Sequence, residues 1–341
     1  MQKIYRATHP REYEKAGPSD LIALEPPPGG LPICRRKMEL VQIVFGMQPG
    51  EITHSSGPSG TGKTTVPLYL EKVPKNWETI CRAEGLPAKP LKLFPVQMST
   101  YESPAECWGQ TALRDGSTFQ EQSLLVRSMR QAEKMADDHC CVILLREMGR
   151  VASEQVQGGL TDLLIREEII LPDGGRIQGG RYATYMDSNY QDMDEAQHTL
   201  SPQEDAIKRR ITVNVTMGHL QPTEEAAVLR YVVHNGNGKR GPAVDHLEEL
   251  IGIAVRIVQA VREQRREGRL LSIAPPSIYN MHSFVRMCLA LPQMNQGDVA
   301  RATLMGNATA EDLPAVEGVY AEVFGLAADS NDADPTMVDL F

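Results

Sequence analysis

The sequence has few aromatic side chains and no excess of positive charge. Aromatic residues make up 5% of the 341 residues, and the formal net charge is −9. Proteins that bind nucleic acid depend on basic patches and often on aromatic rings that stack on bases. The composition therefore counts against a nucleic-acid partner, although it does not exclude a local basic channel in an oligomer.

Long apolar runs and paired cysteine motifs are also missing. No stretch approaches the length that spans a membrane, and the N-terminus has no charged-then-apolar leader pattern, so we expect a cytoplasmic protein without membrane contact. None of the six cysteines forms a C-x-x-C pair or lies at zinc-like spacing from a histidine. This spacing predicts reduced thiols rather than a metal or disulfide framework.

One glycine-rich stretch fits the phosphate-loop pattern G-x-x-x-x-G-K-[ST] at every fixed position. It comprises Gly57, Pro58, Ser59, Gly60, Thr61, Gly62, Lys63, Thr64 and Thr65. Its glycines allow tight backbone turns that aim N–H groups at phosphate oxygens, at the positive end of the following helix. We expect Lys63 to reach the β- and γ-phosphates and the Thr64 hydroxyl to ligate Mg²⁺. The motif therefore predicts that the protein binds ATP with Mg²⁺.

Strand and helix patterns alternate on both sides of this loop. Strands are predicted near residues 50–55, 92–99, 140–145, 182–186 and 211–215. This order favours an α/β fold, in which a P-loop parallel sheet carries helices on both faces. Pro95 indicates that its strand lies at a sheet edge or has an irregular start, and the turn at Pro172-Asp173-Gly174-Gly175 predicts a β-hairpin over 168–177.

The composition changes along the chain in a way that predicts four segments. Residues 1–37 are mostly polar and contain a Pro-Gly-rich run, which favours an N-terminal arm or linker, or simple disorder. Residues 38–219 carry the alternating strands and helices of the nucleotide-binding domain. Residues 220–328 show helical spacing only and are expected to form a lid domain, and residues 329–341 form an acidic tail.

Two further residues are predicted to join the loop at the carboxyl ends of the strands, where ligands bind in parallel sheets. Glu147 follows the apolar strand 140–145 and would orient or activate water at the γ-phosphate. Asn189 follows the strand 182–186 and would hold that water or the phosphate through its amide. The alternatives are a solvated strand-end charge for Glu147 and a turn former for Asn189.

In the order and spacing of its motifs, the chain resembles the AAA+ ATPases, specifically their MoxR-like branch. The matching stretches are 57–65, 95–99 with 108–109, 142–150, 155–177, 183–189 and 205–211. The resemblance implies an ATPase that assembles into a ring, often a hexamer, and that remodels or activates a partner protein. It also implies that Arg210, or Arg209 beside it, reaches the γ-phosphate of a neighbouring subunit, although the two arginines could also be a basic surface pair. MoxR-like proteins commonly act with partners that bear a von Willebrand A-type domain, and the sequence does not name this one.

The position after the buried strand departs from the pattern of that family. The family has Asp-Glu after the buried strand, whereas this chain has Arg146-Glu147. The aspartate normally supports Mg²⁺ and its waters, and a cation about 5 Å from Mg²⁺ would cost on the order of several kcal/mol at an effective dielectric near 20. The sequence therefore supports ATP binding more strongly than hydrolysis.

Two alternatives to the remodelling motor follow from these observations. The first is a scaffold whose ring is held together by ATP and in which Arg146 reflects lost catalysis. The second is a nucleic-acid motor, for which the chain offers one strong basic cluster. That cluster, expected on a solvated helix face, comprises Arg262, Arg265, Arg266 and Arg269.

Overall fold

The computed structural model divides the chain into two compact units, Met1–Leu220 and Gln221–Phe341. The residues that it describes are 3–114, 117–148, 156, 160–171, 173–189, 202–236, 244–270, 276–305, 308–309 and 311–324. Residues 153–155 and 157–159 of the helix predicted over 153–165 and the whole acidic tail, residues 329–341, lie outside this part of the chain. Each unit is described below by itself.

All strands of the described residues belong to the first unit. In chain order, β1 to β12 span Ile4–Arg6, Leu21–Leu24, Ile33–Arg36, Ile52–Gly57, Leu91–Gln97, Gly109–Arg114, Ser117–Gln122, Cys140–Arg146, Glu168–Ile170, Arg176–Gln178, Ala183–Asn189 and Val213–Thr216. Helices α1 to α7 of this unit span Pro10–Lys15, Lys37–Gly46, Thr65–Lys72, Pro74–Ala83, Pro104–Trp108, Leu124–Met135 and Pro202–Lys208. In the second unit, α8 to α12 span Pro222–Gly236, Val244–Arg266, Ile278–Ala290, Gln296–Leu304 and Leu313–Phe324.

A parallel five-stranded sheet forms the centre of the first unit, in the order β12-β4-β11-β8-β5. Alternate residues of β8 enter different hydrophobic clusters, so both faces of the sheet are covered. Val142 and Leu144 pack with α3 and α4, whereas Ile143 and Leu145 pack with α6. The predicted fold class, a parallel P-loop sheet with helices on both faces and a C-terminal helical region, is confirmed.

The predicted buried strand and the predicted edge strand are also confirmed. Residues 140–145 form the buried strand β8, and burial raises the thiol pKa of Cys140 to about 12 and that of Cys141 to about 11. Both thiols therefore stay protonated at neutral pH. Pro95 lies in β5, which has only one neighbouring strand, β8, and an edge strand tolerates a residue without an N–H.

The N-terminal segment is part of the core of the first unit, which differs from the arm or linker expected from the sequence. β1 pairs in parallel with β2, and β2 pairs antiparallel with β3. Tyr13 and Ile22 are fully buried in the same cluster as Val66 and Leu70 of α3. The polar composition of the segment concealed its few large apolar residues, most of which are buried.

Two β-hairpins accompany the central sheet. The predicted hairpin is confirmed as β9 and β10, which pair antiparallel with Ile177 opposite Ile169. A second hairpin, β6 and β7, precedes α6 and was not expected. α6 starts at Leu124, shortly after β7, and the Ser123 hydroxyl caps it by accepting a hydrogen bond from the Val126 N–H.

The second unit is helical in its described residues, as predicted, with α11 as an additional helix. The basic cluster at the end of α9 is only partly solvated, which corrects the sequence expectation, because Arg266 and Arg269 are exposed whereas the other two arginines are buried. Arg262 and Arg265 are 5% and 7% exposed, and Arg262 forms an ion pair of 2.7 Å with the buried Glu225 of α8. A buried arginine needs such a partner, so these charges hold the unit together instead of forming a basic stripe.

None of the described helices combines the length and the apolar composition that crossing a membrane requires.

The contribution of the N-terminal segment to the core can be tested by truncating one of its buried side chains. Replacing Ile22 with alanine should lower the free energy of unfolding by about 2–5 kcal/mol, because the side chain is fully buried. The matched control is Ile170→Ala, since Ile170 is 65% exposed and should lose less than about 1 kcal/mol. Urea denaturation of both variants measures the difference, and equal losses would contradict the assignment of this segment to the core.

Candidate nucleotide site

The glycine-rich loop joins β4, an inner strand of the parallel sheet, to helix α3. Gly57, Gly60 and Gly62 have φ values of 152°, 78° and 91°, which other residues rarely adopt. A Cβ atom at Gly57 would also collide with the backbone carbonyl of Met217. The loop therefore depends on glycine where the sequence pattern requires it.

Lys63 is folded inward against its own loop. Its Nζ donates hydrogen bonds to the carbonyl oxygens of Gly57 and Pro58, at 2.8 and 2.6 Å, and the side chain is nearly inaccessible. Burial lowers the pKa of Lys63 to about 8, and the nearby carboxylate of Asp187 opposes this shift. Among the described residues no carboxylate forms an ion pair with Lys63, so the ammonium lacks an anionic partner of its own. A phosphate would supply one.

Two residues on one face of strand β11 form hydrogen bonds to the end of this loop. The Tyr185 hydroxyl donates to the carbonyl oxygen of Lys63 at 3.3 Å. The Asp187 carboxylate accepts a hydrogen bond from the Thr64 hydroxyl through Oδ2. Tyr185 and Asp187 lie on the face of the sheet that α3 covers, because side chains alternate along a strand. Thr64 and the start of α3 are thereby fixed to the neighbouring strand of the sheet.

Asp187 also reaches the residue that follows β8. Its Oδ1 accepts a hydrogen bond of 2.7 Å from the backbone N–H of Glu147, and its side chain is 4% exposed. Asp187 is not among the site residues predicted from the sequence. The feature that could have identified it is an acidic residue within a strand of otherwise uncharged residues, two positions before Asn189 and thus on the same face.

Glu147 has a strained backbone and a tethered side chain. Its φ of 58° makes it the only residue other than glycine with a positive φ in the described part of the chain. Its Oε2 accepts hydrogen bonds from Gln97 Nε2 at 2.6 Å and from Ser99 Oγ at 3.2 Å. Such strain persists where the surroundings fix the conformation, and it is common at functional sites. The structure thus brings Glu147 to the loop through Asp187 and orients its carboxylate from the end of β5.

Arg146 is the last residue of β8 and is paired in register with Gln97. Strand alternation places it on the same face as Val142 and Leu144, which is also the face of Asp187. Its Nε is buried and has no hydrogen-bond partner among the described residues. Arg146 and Asp187 therefore start from the same face of neighbouring strands, so a basic residue shares this face with the carboxylate that holds Thr64.

The remaining predicted site residues are described only in part. Asn189 ends β11 with its backbone in register with Gly57, and its side chain lies outside the described residues. Arg209 and Arg210 form the turn after α7, where Arg209 is exposed and the Arg210 Nη1 donates to the Ala206 carbonyl at 2.9 Å. The structure thus places Asn189 beside the loop but gives the two arginines no hydrogen bond or ion pair to it. Their expected role involves a second subunit and stays a prediction.

Two polar side chains of the inner strand β4 form hydrogen bonds to residues outside that strand. The Thr53 hydroxyl donates to the Gly46 carbonyl at 2.7 Å, and a hydrogen bond of 2.7 Å joins His54 Nε2 to Ser188 Oγ. Burial lowers the pKa of His54 below its usual range, which favours the neutral ring at pH 7. The hydrogen bonds of Thr53 and His54 help a strand with few apolar residues to occupy an inner position of the sheet, between β12 and β11.

Comparison with known proteins yields only remote structural likeness. No protein-family model matches the chain, and no curated protein matches it in sequence. Similar solved structures include the Aeropyrum pernix ORC2 protein (ADPNP-ADP complexes), at 16% identity over 80% of this chain and 67% of that chain, with a TM-score of 0.47. The AAA domain of FIGL-1 in complex with ADP matches at 15% identity over 86% and 82%, with a TM-score of 0.40. NtrX from Brucella abortus in complex with ADP matches at 13% identity over 88% and 56%, with a TM-score of 0.42.

The strain at Glu147 can be measured with two variants that differ only in their tolerance of a positive φ. Both Glu147→Gly and Glu147→Ala lose the carboxylate and keep the backbone N–H, which donates a hydrogen bond to Asp187. The glycine variant should be more stable by about 1 kcal/mol, because alanine keeps the cost of the left-handed conformation. Chemical denaturation gives the difference, and an alanine variant as stable as the glycine variant would show that Glu147 is not strained.

Proposed function

We propose that this chain is a Mg²⁺-dependent ATPase of the AAA+ class and that it belongs to the MoxR-like branch of that class. The observation that carries the proposal is the arrangement at the end of β4. There a phosphate loop with an inward-facing lysine adjoins Asp187 and Glu147, carboxylates from the two strands next in order. Ligands of parallel sheets bind at this edge, and a lysine without an ion-pair partner attracts phosphate.

The side chains at the loop fit Mg²⁺ by the chemistry of their donors. Magnesium prefers hard oxygen ligands, which Thr64 and Asp187 both provide. The described residues contain no cluster of three or more His, Cys, Asp or Glu side chains suited to a metal. This agrees with Mg²⁺ in nucleotide sites, which one or two protein oxygens hold together with the phosphates rather than an all-protein cage.

Each residue has a separate task in the proposed reaction. The loop N–H groups and Lys63 bind the phosphates, and bound Mg²⁺ neutralises part of their charge. Thr64 presents its hydroxyl oxygen to that ion. Glu147, held by Gln97 and Ser99, orients water for attack on the γ-phosphate and accepts its proton. The chemistry needs positioning and charge stabilisation more than covalent participation by the protein.

The proposal predicts different defects for the binding lysine and the catalytic glutamate. Lys63→Ala should abolish binding of a fluorescent ATP analogue, whereas Lys75→Ala, an exposed lysine on α4, should not. Glu147→Gln should still bind ATP but hydrolyse it about 100-fold more slowly or worse, as expected on loss of a general base. Glu78→Gln is the matched surface control. Turnover that is unchanged in Glu147→Gln would refute the catalytic assignment.

The proposed cytoplasmic assembly is a ring, often of six subunits, in which Arg210 completes the neighbour's site and ATP drives work on a partner protein. The hairpin of β9 and β10 before the Asn189 strand supports the MoxR-like branch. A partner with a von Willebrand A-type domain fits this kind of motor. An arginine that stabilises transition-state charge from a neighbouring subunit raises turnover by about 10³–10⁵.

Mixing two inactive variants tests whether Arg210 acts between subunits. Arg210→Ala should bind ATP but turn it over at least about 100-fold more slowly, whereas Arg209→Ala should change turnover little. Adding Lys63→Ala subunits, which keep Arg210 but cannot bind ATP, should restore turnover at mixed interfaces. A coupled ATPase assay reads the restoration, and its absence in mixtures shown to co-assemble would exclude action in trans.

The second candidate function is a scaffold whose assembly depends on ATP binding without turnover. Arg146 is the observation that favours it, because a cation beside the metal site opposes hydrolysis. Light scattering with and without ATP distinguishes the two functions when it is combined with the turnover assay. ATP-dependent rings in a wild-type protein that does not hydrolyse ATP would support the scaffold and contradict the motor.

A further inference from the structure

The carboxylate of Asp187 occupies the place where the site needs a negative charge. Position 146, where the resembled family has aspartate, holds an arginine in this chain. Asp187 lies on the same face of the sheet and one strand closer to β4, because β11 lies between β4 and β8. It is in register with Ser55, two residues before Gly57. The position of Asp187 thus puts a carboxylate beside the loop although residue 146 is basic.

The contacts of Asp187 are specific. Its two carboxylate oxygens accept from different elements, one from the Thr64 hydroxyl and the other from the Glu147 N–H. A hydroxyl that donates its proton to a carboxylate directs its oxygen lone pairs elsewhere, as a metal ligand requires. The bond to Glu147 fixes the carboxylate from the opposite side, so the orientation of Thr64 depends on Asp187.

The local charges show why a carboxylate is needed here. Lys63 is buried within the loop, and Arg146 starts from the same face of the sheet as Asp187, on the neighbouring strand. Without Asp187, a divalent cation at Thr64 would approach two positive side chains, with only the phosphates to offset them. Burial weakens the screening of such interactions.

We infer that Asp187 replaces the missing aspartate at position 146 as the residue that positions Thr64 for Mg²⁺ and supplies negative charge beside the ion. This inference rests on the proposed function, since it concerns the ion that accompanies ATP. It makes Arg146 compatible with metal-dependent nucleotide binding. In this chain the carboxylate beside the ion would thus come from β11, whereas in the resembled family it follows the strand that corresponds to β8.

The test compares nucleotide affinity with and without metal. A fluorescent, non-hydrolysable ATP analogue is titrated against each variant, first in EDTA and then in excess Mg²⁺. The wild type should bind at least about tenfold more tightly with Mg²⁺. Asp187→Asn should lose this gain, since residues that hydrogen-bond to a metal ligand typically contribute 10–100-fold to metal affinity. Its affinity in EDTA should stay within about threefold of wild type. Asp138→Asn, an exposed residue, should behave like the wild type.

A rescue experiment distinguishes positioning from a merely structural role. Arg146→Asp combined with Asp187→Asn should restore the Mg²⁺ gain, because a carboxylate returns to the face that Thr64 contacts. Arg146→Asn combined with Asp187→Asn removes the same cation without adding a carboxylate, and it should restore at most about a third of the gain. Equal recovery in both double variants would overturn the inference.

A second pair of variants keeps Asp187 and serves if Asp187→Asn fails to fold. Arg146→Asp and Arg146→Asn should raise the Mg²⁺ gain equally, because each removes one cation from a site that already has its carboxylate. A tenfold advantage of the aspartate variant would mean that the site lacks this carboxylate and would overturn the inference.

Failure of the inference and failure of the proposed function give different results. No binding of the analogue by the wild type under either condition would refute the proposed function. An undiminished Mg²⁺ gain in Asp187→Asn would leave that function intact and refute the role of Asp187.

Discussion

The Asp187 carboxylate joins the glycine-rich loop to the strand ends that surround it. It accepts the Thr64 hydroxyl from the start of α3 and the Glu147 N–H from the end of β8. The two groups belong to segments that are distant in the sequence. Their relative position is therefore fixed by one buried side chain, and the strained backbone of Glu147 persists because its N–H is held there.

The sheet can support this arrangement because two polar side chains of its inner strand β4 are hydrogen-bonded. Thr53 and His54 each have a hydrogen-bond partner outside β4, so the desolvation of their polar groups is compensated. Glycines at the strand end allow the close passage of Met217. The loop then presents its N–H groups and Lys63 at the start of α3, where the helix dipole favours an anion.

Local sequence patterns predicted the parts of the fold that depend on local physics. The apolar run at 140–145 identified a buried strand, Pro95 identified an edge, and the turn residues around Asp173 identified a hairpin. In each case the residue type itself limits the conformation. The loop was found for the same reason, since its glycines, lysine and threonine have fixed spacing.

The remaining features depend on contacts between distant segments. Nothing local to Asp187 shows that Thr64 will lie beside it, because that contact follows from the order of β4 and β11 in the sheet. The buried position of Arg262 depends on its pairing with Glu225 of another helix. The N-terminal strands were underestimated for a similar reason, since Tyr13 and Ile22 gain their burial only against α3 and its neighbours.

The central claim is that the loop binds ATP with a divalent ion that Thr64 and Asp187 support. The most direct measurement is a crystal structure of the full chain with a non-hydrolysable ATP analogue and Mn²⁺, whose anomalous signal locates the ion. The account predicts one anomalous peak beside the Thr64 hydroxyl, with the Asp187 carboxylate bound to the ion or to its water ligands. Nucleotide in the loop without such a peak, or an Asp187 side chain turned away from the ion, would contradict it.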